Sequence, residues 1–283
     1  SLQESLGNNR VFDTSLSEEG IVGRSIGMAI AGLMPVPELQ FRKYADAGHE
    51  QMVDAGLVRW RTAGKFAAPM VVRIPVGCGK KGGDPWHSMC GEASYAHLLG
   101  WQIAMPSNAM DAVGLLRAAL RGDDPTLFLE HRGLLVDERA YRNYPGDDYC
   151  LPFGKAGQCL EGDSLTIVSW GEMIYRCLEA ASEFPGAVTV IDLRTLIPWD
   201  RESVLQSVRK TGRLLVVHED TVTGGFAGEI LATVTSEAYD ALQAAPRRLC
   251  TADCPIPYDV AQMKRVVPSV AQIQSKIERF LNP

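Results

Sequence analysis

The chain has 283 residues, 46% hydrophobic and 22% charged, which is globular composition with enough apolar material for two domains of ordinary size. Its 28 basic against 34 acidic residues give a formal charge of −6, which argues against a nucleic-acid partner and against an anionic-membrane surface. No run is long enough to span a membrane, no basic-then-apolar leader opens the sequence, and the seven scattered cysteines contain no C-x-x-C pair. A disulfide scaffold and a zinc site are therefore not expected, and a reducing cytoplasm is.

In chain order, residues 1–9 read as a polar helical lead-in and 10–14 as an extended piece. Ser15 and Glu18 have the S-x-x-E spacing of a capping box, ahead of Ile21, Val22, Ile26, Ala29, Ile30 and Leu33 at helical spacing. Gly20, Gly23, Gly27 and Gly32 weaken that helix, so close packing of its backbone on a neighbour is expected. Residues 37–41 read as a strand and 46–60 as a helix. Residues 70–76, apolar and β-branched, are the strongest strand and run into a loop with four glycines, Gly77 to Gly83, that ends in Asp84-Pro85-Trp86-His87-Ser88. A short helix at 92–99 carries Tyr95 and His97. A strand at 101–105, a helix from Pro106-Ser107-Asn108 to Leu120 and a strand at 126–130 follow.

From 134 to 152 the periodicity gives way to Asp, Arg, Asn, Tyr, Pro and Gly, which marks a domain boundary or an ordered surface arm. Beyond it, strands are expected at 165–169, 188–193, 214–218 and 248–251, with helices at 173–181, 201–209, 225–242 and 269–281. Strand and helix alternate at crossover intervals. The fold predicted is α/β: two open, largely parallel-sheet domains with helices on both faces, residues 1–140 and 156–283, joined by a linker at 141–155.

The chain lacks a G-x-x-x-x-G-K-[ST] phosphate loop, a G-x-S-x-G elbow and an H-E-x-x-H motif. Gly77-x-Gly79-x-x-Gly82 fits the dinucleotide pattern, but Gly83-Asp84-Pro85 stands where that fingerprint needs a helix. His87, delivered by a strand and a glycine loop, is a candidate proton-transfer group; the competing reading is a histidine in an ordinary surface loop. His97, ten residues on, is placed to meet it in a cleft, or else to serve a structural hydrogen bond. His218 closes an apolar strand and is followed by Glu219 and Asp220 at an end where open sheets bind ligands. Glu18 is either the capping carboxylate or, at a buried helix start, a group that hydrogen-bonds a protonated ring nitrogen of a ligand; Glu19 reads as a solvated first-turn acid.

Six stretches in fixed order carry a resemblance: Asp13-Thr14-x-Leu16-Ser17-Glu18-x-Gly20, Ala31-Gly32-Leu33-x-Pro35-x-Pro37-Glu38, the glycine loop ending Trp86-His87-Ser88, Ile191-Asp192-Leu193-Arg194-Thr195-Leu196-x-Pro198-Trp199-Asp200, Thr223-Gly224-Gly225-Phe226, and Asp253-x-Pro255-x-Pro257-Tyr258. The chain resembles the β subunit of the thiamine-diphosphate-dependent 2-oxo acid dehydrogenases, the decarboxylating component of the pyruvate and branched-chain complexes. The resemblance implies a transketolase-like pyrimidine-binding domain followed by a transketolase C-terminal domain. It also implies an α2β2 tetramer whose α subunit holds Mg²⁺ and the diphosphate, since this chain has no G-D-G motif and no metal ligands of its own are expected.

Carried over, Glu18 would hydrogen-bond N1′ of the aminopyrimidine and favour the imino tautomer that deprotonates the thiazolium. Tyr44 would pack on the pyrimidine. His87 would supply a proton donor during addition of the 2-oxo acid and acyl transfer to the lipoyl-bearing acyltransferase, with His97 in support. An acetoin-cleaving or transketolase-like thiamine enzyme subunit, and a non-catalytic assembly subunit, are the alternatives. Two departures stand out: Ser88-Met89-Cys90-Gly91-Glu92 replaces the usual S-Q-x-x-E, and the stretch that precedes Asp13-Thr14 in the family is expected to be missing, which would leave the chain inactive alone.

Overall fold

The computed structural model describes residues 1–79 and 82–282, so the Lys80-Lys81 pair of the glycine loop lies outside the described residues. The strands among them are β1 (Val71–Val76), β2 (Gln102–Ala104), β3 (Thr126–His131), β4 (Gly157–Leu160), β5 (Leu165–Ser169), β6 (Val188–Asp192), β7 (Thr195–Ile197), β8 (Leu214–Thr221) and β9 (Arg247–Thr251). The helices are α1 (Leu2–Leu6), α2 (Glu18–Ile30), α3 (His49–Arg61), α4 (Glu92–Tyr95), α5 (Ala109–Leu120), α6 (Met173–Ala181), α7 (Arg201–Thr211), α8 (Ala227–Glu237), α9 (Val260–Val266) and α10 (Val270–Leu281).

Two sheets result, in the orders β1-β3-β2-β7 and β4-β6-β5-β8-β9. All neighbours run parallel except β7 on β2 and β4 on β6. Every residue of β5 and β6 is buried, which is why these strands are mostly apolar, with their Thr, Ser and Asp side chains buried too: no position alternates outward. The two sheets share one core, in which Ile103 and Met105 pack in the same buried cluster as Val168, Trp170, Leu193 and Leu196. Thr195–Ile197 leaves the second half of the sequence to add an antiparallel edge to the first sheet. The polar stretch is an ordered arm across α5: Leu151 N–H donates to Gly114 O at 3.1 Å, and Arg117 Nη1 donates to Gly146 O and Tyr149 O at 2.6 and 3.0 Å.

Four expectations change. Residues 37–41 make only an isolated bridge, Glu38 to Arg73, because Pro35 and Pro37 have no N–H to extend a ladder along β1. The capping box at Ser15 and Glu18 does not form: α2 starts from Ser17, whose hydroxyl donates to Glu19 at 2.8 Å, so the Glu18 carboxylate takes no part in the cap. The close packing expected of the α2 glycines is absent at Gly27, where an added Cβ would meet nothing within 4 Å, and slight at Gly23, where it would meet only Gln51 at 3.6 Å. Finally, β4, β7 and α9 carry too little periodicity to be read from sequence; they are four, three and seven residues long and exist through pairing and packing.

Candidate functional site

The carboxyl ends of β1 and β3 carry the candidate site. Residues 35–42 run along the free edge of β1, where Val71 and Arg73 N–H donate to Pro35 and Pro37 O at 3.1 and 2.9 Å, and Leu39 and Arg42 N–H donate to Arg73 and Pro75 O at 3.0 and 3.3 Å. This edge delivers Phe41 to the end of β1 and places Tyr44 in the 3-10 turn Tyr44–Gly48. The first turn of α2 rests on that turn so closely that a Cβ at Gly48 would lie 3.2 Å from the Glu18 carbonyl oxygen. The half-buried Glu18 side chain has no hydrogen-bond or ion-pair partner among the described residues.

After β1 the chain turns at Gly77, with φ +75°, where a side chain would strike His131 Nε2 at 2.3 Å. The loop is then tied by Asp84. Its Oδ1 accepts the Trp86 and His87 N–H groups, both at 2.8 Å, and its own N–H donates to the buried Ser88 hydroxyl at 2.9 Å. That turn presents His87 with both ring nitrogens engaged: Nδ1 lies 3.0 Å from Asp84 Oδ2 and Nε2 lies 3.0 Å from the Tyr44 hydroxyl. The imidazole packs on Phe41 at 4.3 Å between ring centroids and on Tyr44 at 5.7 Å. Arg132, just past β3, donates from Nη1 to the His87 carbonyl at 2.7 Å and lies 5.1 Å over the Phe41 ring.

Burial raises the Asp84 carboxyl, but the N–H groups of Trp86 and His87 and the imidazole outweigh it and hold Asp84 below the usual range. An ionised carboxylate only accepts, so Nδ1 carries a proton and Nε2 is left to accept from the Tyr44 O–H; a second proton on the ring would reverse that last bond. Tyr44, His87 and Asp84 thus form one hydrogen-bonded chain that ends on a carboxylate.

Behind this loop the domain contact is polar and buried. Glu219 Oε2 lies 2.9 Å from His131 Nε2, and Oε1 accepts the Cys78 N–H at 2.6 Å. Burial raises Glu219, but His131 and that N–H outweigh it and bring it to about 2. Cys90, His131 and Glu219 hold potential ligand atoms within 4.8 Å of one another, yet the histidine and carboxylate already satisfy each other. Glu92 accepts the Trp170 indole N–H at 2.9 Å, and burial, with Asp220 beside it, pushes its carboxyl well up. His218, read from sequence as a possible ligand group, is fully buried, stacked 5.1 Å from Trp170, and driven down to about 3 by burial. It is a neutral core histidine.

The structure brings His87 and Tyr44 into direct contact and sets the Glu18 helix start on the turn that carries Tyr44. His97 stays apart: α4 ends at Tyr95, and in the turn after it Leu98 is buried while His97 is exposed, without a contact to His87 among the described residues. Sequence reasoning passed over Asp84, Phe41 and Arg132. The D-x-x-H spacing of Asp84 and His87 in a turn was the signal available for the first, and a cation directly after a parallel strand was the signal for the last.

Two catalogued domain families match the chain: "Transketolase, pyrimidine binding domain" over residues 1–137 and "Transketolase, C-terminal domain" over 154–273. The β chain titled "Split gene transketolase, inactive beta4 tetramer" shares the fold, with a TM-score of 0.78 at 19% identity over 99% of this chain and 89% of that one. Fold and domain order therefore define a transketolase-like protein. Sequence relatives narrow this. The chain is 36% identical to the 2-oxoisovalerate dehydrogenase subunit beta of Pseudomonas aeruginosa over 99% of its own length and 83% of the relative's. It is 39% identical to the same subunit of Bacillus subtilis, over 91% and 79%. It is 38% identical to the pyruvate dehydrogenase E1 component subunit beta of Mycoplasma genitalium, over 96% and 86%. The chain belongs to the β subunits of the thiamine-diphosphate-dependent 2-oxo acid dehydrogenases, pyruvate or branched-chain type, and as such is an enzyme subunit that needs partner subunits. Membership of that family implies dependence on thiamine diphosphate and Mg²⁺. Among the described residues no helix is long and apolar enough to cross a membrane.

Proposed function

We propose that Glu18, Tyr44 and His87 form this chain's half of a thiamine diphosphate site in an α2β2 decarboxylating component acting on pyruvate or a branched-chain 2-oxo acid. The single observation that carries the reading is the Tyr44–His87–Asp84 chain beside a helix start whose carboxylate has no partner among the described residues. The residues fit the pyrimidine end of the coenzyme: a half-buried carboxylate free to accept from a ring nitrogen, and an aromatic ring on the adjoining turn. When bound, the coenzyme would supply the nucleophilic carbon and the electron sink that decarboxylation of a 2-oxo acid needs. Glu18 holds the proton at the pyrimidine ring nitrogen. Tyr44 flanks the ring and orients His87 Nε2. His87, its Nδ1–H held by Asp84, moves a proton to and from the substrate oxygen and then the lipoyl sulfur.

Residues 1–140 would be the pyrimidine-binding domain, 141–155 the connecting arm and 156–283 the C-terminal domain. The diphosphate and Mg²⁺ would be held by an α subunit, and the acyl group received by a lipoyl-bearing acyltransferase. The α2 face supports a partner chain: Gly23 and Gly27 present backbone with little against it, near the exposed Ile30 and Leu33. Seven free cysteines agree with a reducing cytoplasm or an equivalent compartment. Mixing the chain with an α subunit tests the whole reading. The mixture should decarboxylate a 2-oxo acid with an artificial electron acceptor, strictly with thiamine diphosphate and Mg²⁺, while either chain alone does not; an inactive mixture that still assembles would select the assembly-subunit alternative.

A further inference from the structure

We infer that Arg132 binds the carboxylate of the 2-oxo acid, an inference that rests on the functional reading above. Its Nη1 is engaged by the His87 carbonyl at 2.7 Å, and its guanidinium lies 5.1 Å over Phe41, the ring on which the His87 imidazole packs at 4.3 Å. The cation is thereby fixed against the loop and the aromatic face that fix His87. Among the described residues no carboxylate lies within ion-pair distance of Arg132, and neither Nε nor Nη2 has a hydrogen-bond acceptor, although the side chain is half-buried. The neighbouring arginines are neutralised: Arg73, inside β1, pairs with Glu130 at 2.7 Å and with Glu38 at 3.0 Å, and Arg42 with Asp46 at 2.8 Å.

A rigid, uncompensated guanidinium with a free donor edge, at the carboxyl end of a parallel strand, is a receptor for a small carboxylate. Beside Nη2 the loop is glycine: a Cβ at Gly79 would stand 3.6 Å from that atom, so the present residue leaves the edge uncovered. A 2-oxo acid seated there has its carboxylate on Arg132 and its keto group turned toward His87. Held from the carboxylate side, the substrate keeps one orientation while the bond to CO2 breaks.

The test uses the assembled α2β2 holoenzyme and compares the 2-oxo acid with the aldehyde one carbon shorter. Both are oxidised to the same acyl level by ferricyanide, but the aldehyde has no carboxylate. Arg132→Gln and Arg132→Met should lower the ratio of kcat/KM for acid over aldehyde by on the order of 10- to 100-fold, mainly through KM, with Arg132→Lys in between. As a binding readout, competitive inhibition by isobutyrate should weaken by a similar factor and that by isobutyramide should hardly change. A purely structural role for Arg132 loosens the His87 loop and lowers both rates together; an unchanged ratio therefore overturns the inference even if activity falls. Wild-type tetramer that turns over no 2-oxo acid overturns the functional reading, and this inference with it, whereas an active wild type with an unmoved ratio overturns the inference alone.

Discussion

Changing Asp84 to Asn alters one atom in the His87 chain and almost nothing else. The amide oxygen can still accept the Trp86 and His87 N–H groups, each now at 2.8 Å from Oδ1, so the turn survives. What changes is the group 3.0 Å from His87 Nδ1, where an acceptor becomes a donor. The imidazole must then carry its proton on Nε2, facing the Tyr44 hydroxyl, and its protonated form loses an anionic partner. A hydrogen bond to a charged group contributes about 1.5–3 kcal/mol. The His87 and Asp84 side chains are 30% and 19% exposed, which places this pair at the lower end, about 1.5 kcal/mol. At about 1.4 kcal/mol per decade, kcat/KM of the assembled enzyme should fall roughly tenfold, and further where the substrate step needs protonated His87. Steady-state assays with a 2-oxo acid from pH 6 to 8, beside a thermal melt, measure this. A loss within twofold at every pH, or a loss matched by a melting temperature lowered by several degrees, would refute the tautomer argument.

Tyr44→Phe keeps the ring and removes only the hydroxyl 3.0 Å from His87 Nε2; a neutral hydrogen bond at about 0.5–1.5 kcal/mol predicts a two- to tenfold loss in kcat/KM with cofactor affinity retained, read by titrating thiamine diphosphate. Asp192 is fully buried, accepting from Ser107 at 2.5 Å and from Arg194 N–H at 3.0 Å, and burial, with the neighbouring Asp111 charge and against the Ser107 hydroxyl, raises it to about 7. Since its folded value lies above the unfolded one of about 3.9, stability should fall as pH rises through that window, by up to ~1.4 kcal/mol per unit, and level off above it. Asp192→Asn should flatten this slope between about pH 5 and 7 in denaturant melts; parallel wild-type and variant curves would count against a buried, proton-bearing Asp192.

The architecture was legible wherever burial leaves a mark in composition. The runs of β5 and β6 are mostly apolar because both faces are covered, β1 is broken only by Arg73, and Met173–Ala181 has a helix face strong enough to bound it. It was illegible where tertiary pairing decides. Nothing in Thr195-Leu196-Ile197 announces that it crosses to the other sheet, and the capping box at Ser15 lost to a start at Ser17, packed on Gly48. In the site, His87 was visible because its loop is unusual. Its connection to Tyr44 was not, since 43 residues separate them and the edge of β1 brings them together. Arg132 was hidden for the same reason, its contact with His87 spanning 45 positions. His97 shows the opposite: ten residues from His87 in sequence, it lies in the turn after α4 and is exposed to solvent.

In the function proposed above, Glu18, the carboxylate at the start of α2 without a partner among the described residues, would activate the pyrimidine ring of a coenzyme gripped by another chain. Hydrogen–deuterium exchange at thiazolium C2 in the reconstituted tetramer, quenched in acid and read by NMR, measures that activation before any substrate binds. Glu18→Gln should slow the exchange by about 10²- to 10⁴-fold while the tetramer still assembles. Exchange at the wild-type rate in a variant with the coenzyme fully bound would contradict it.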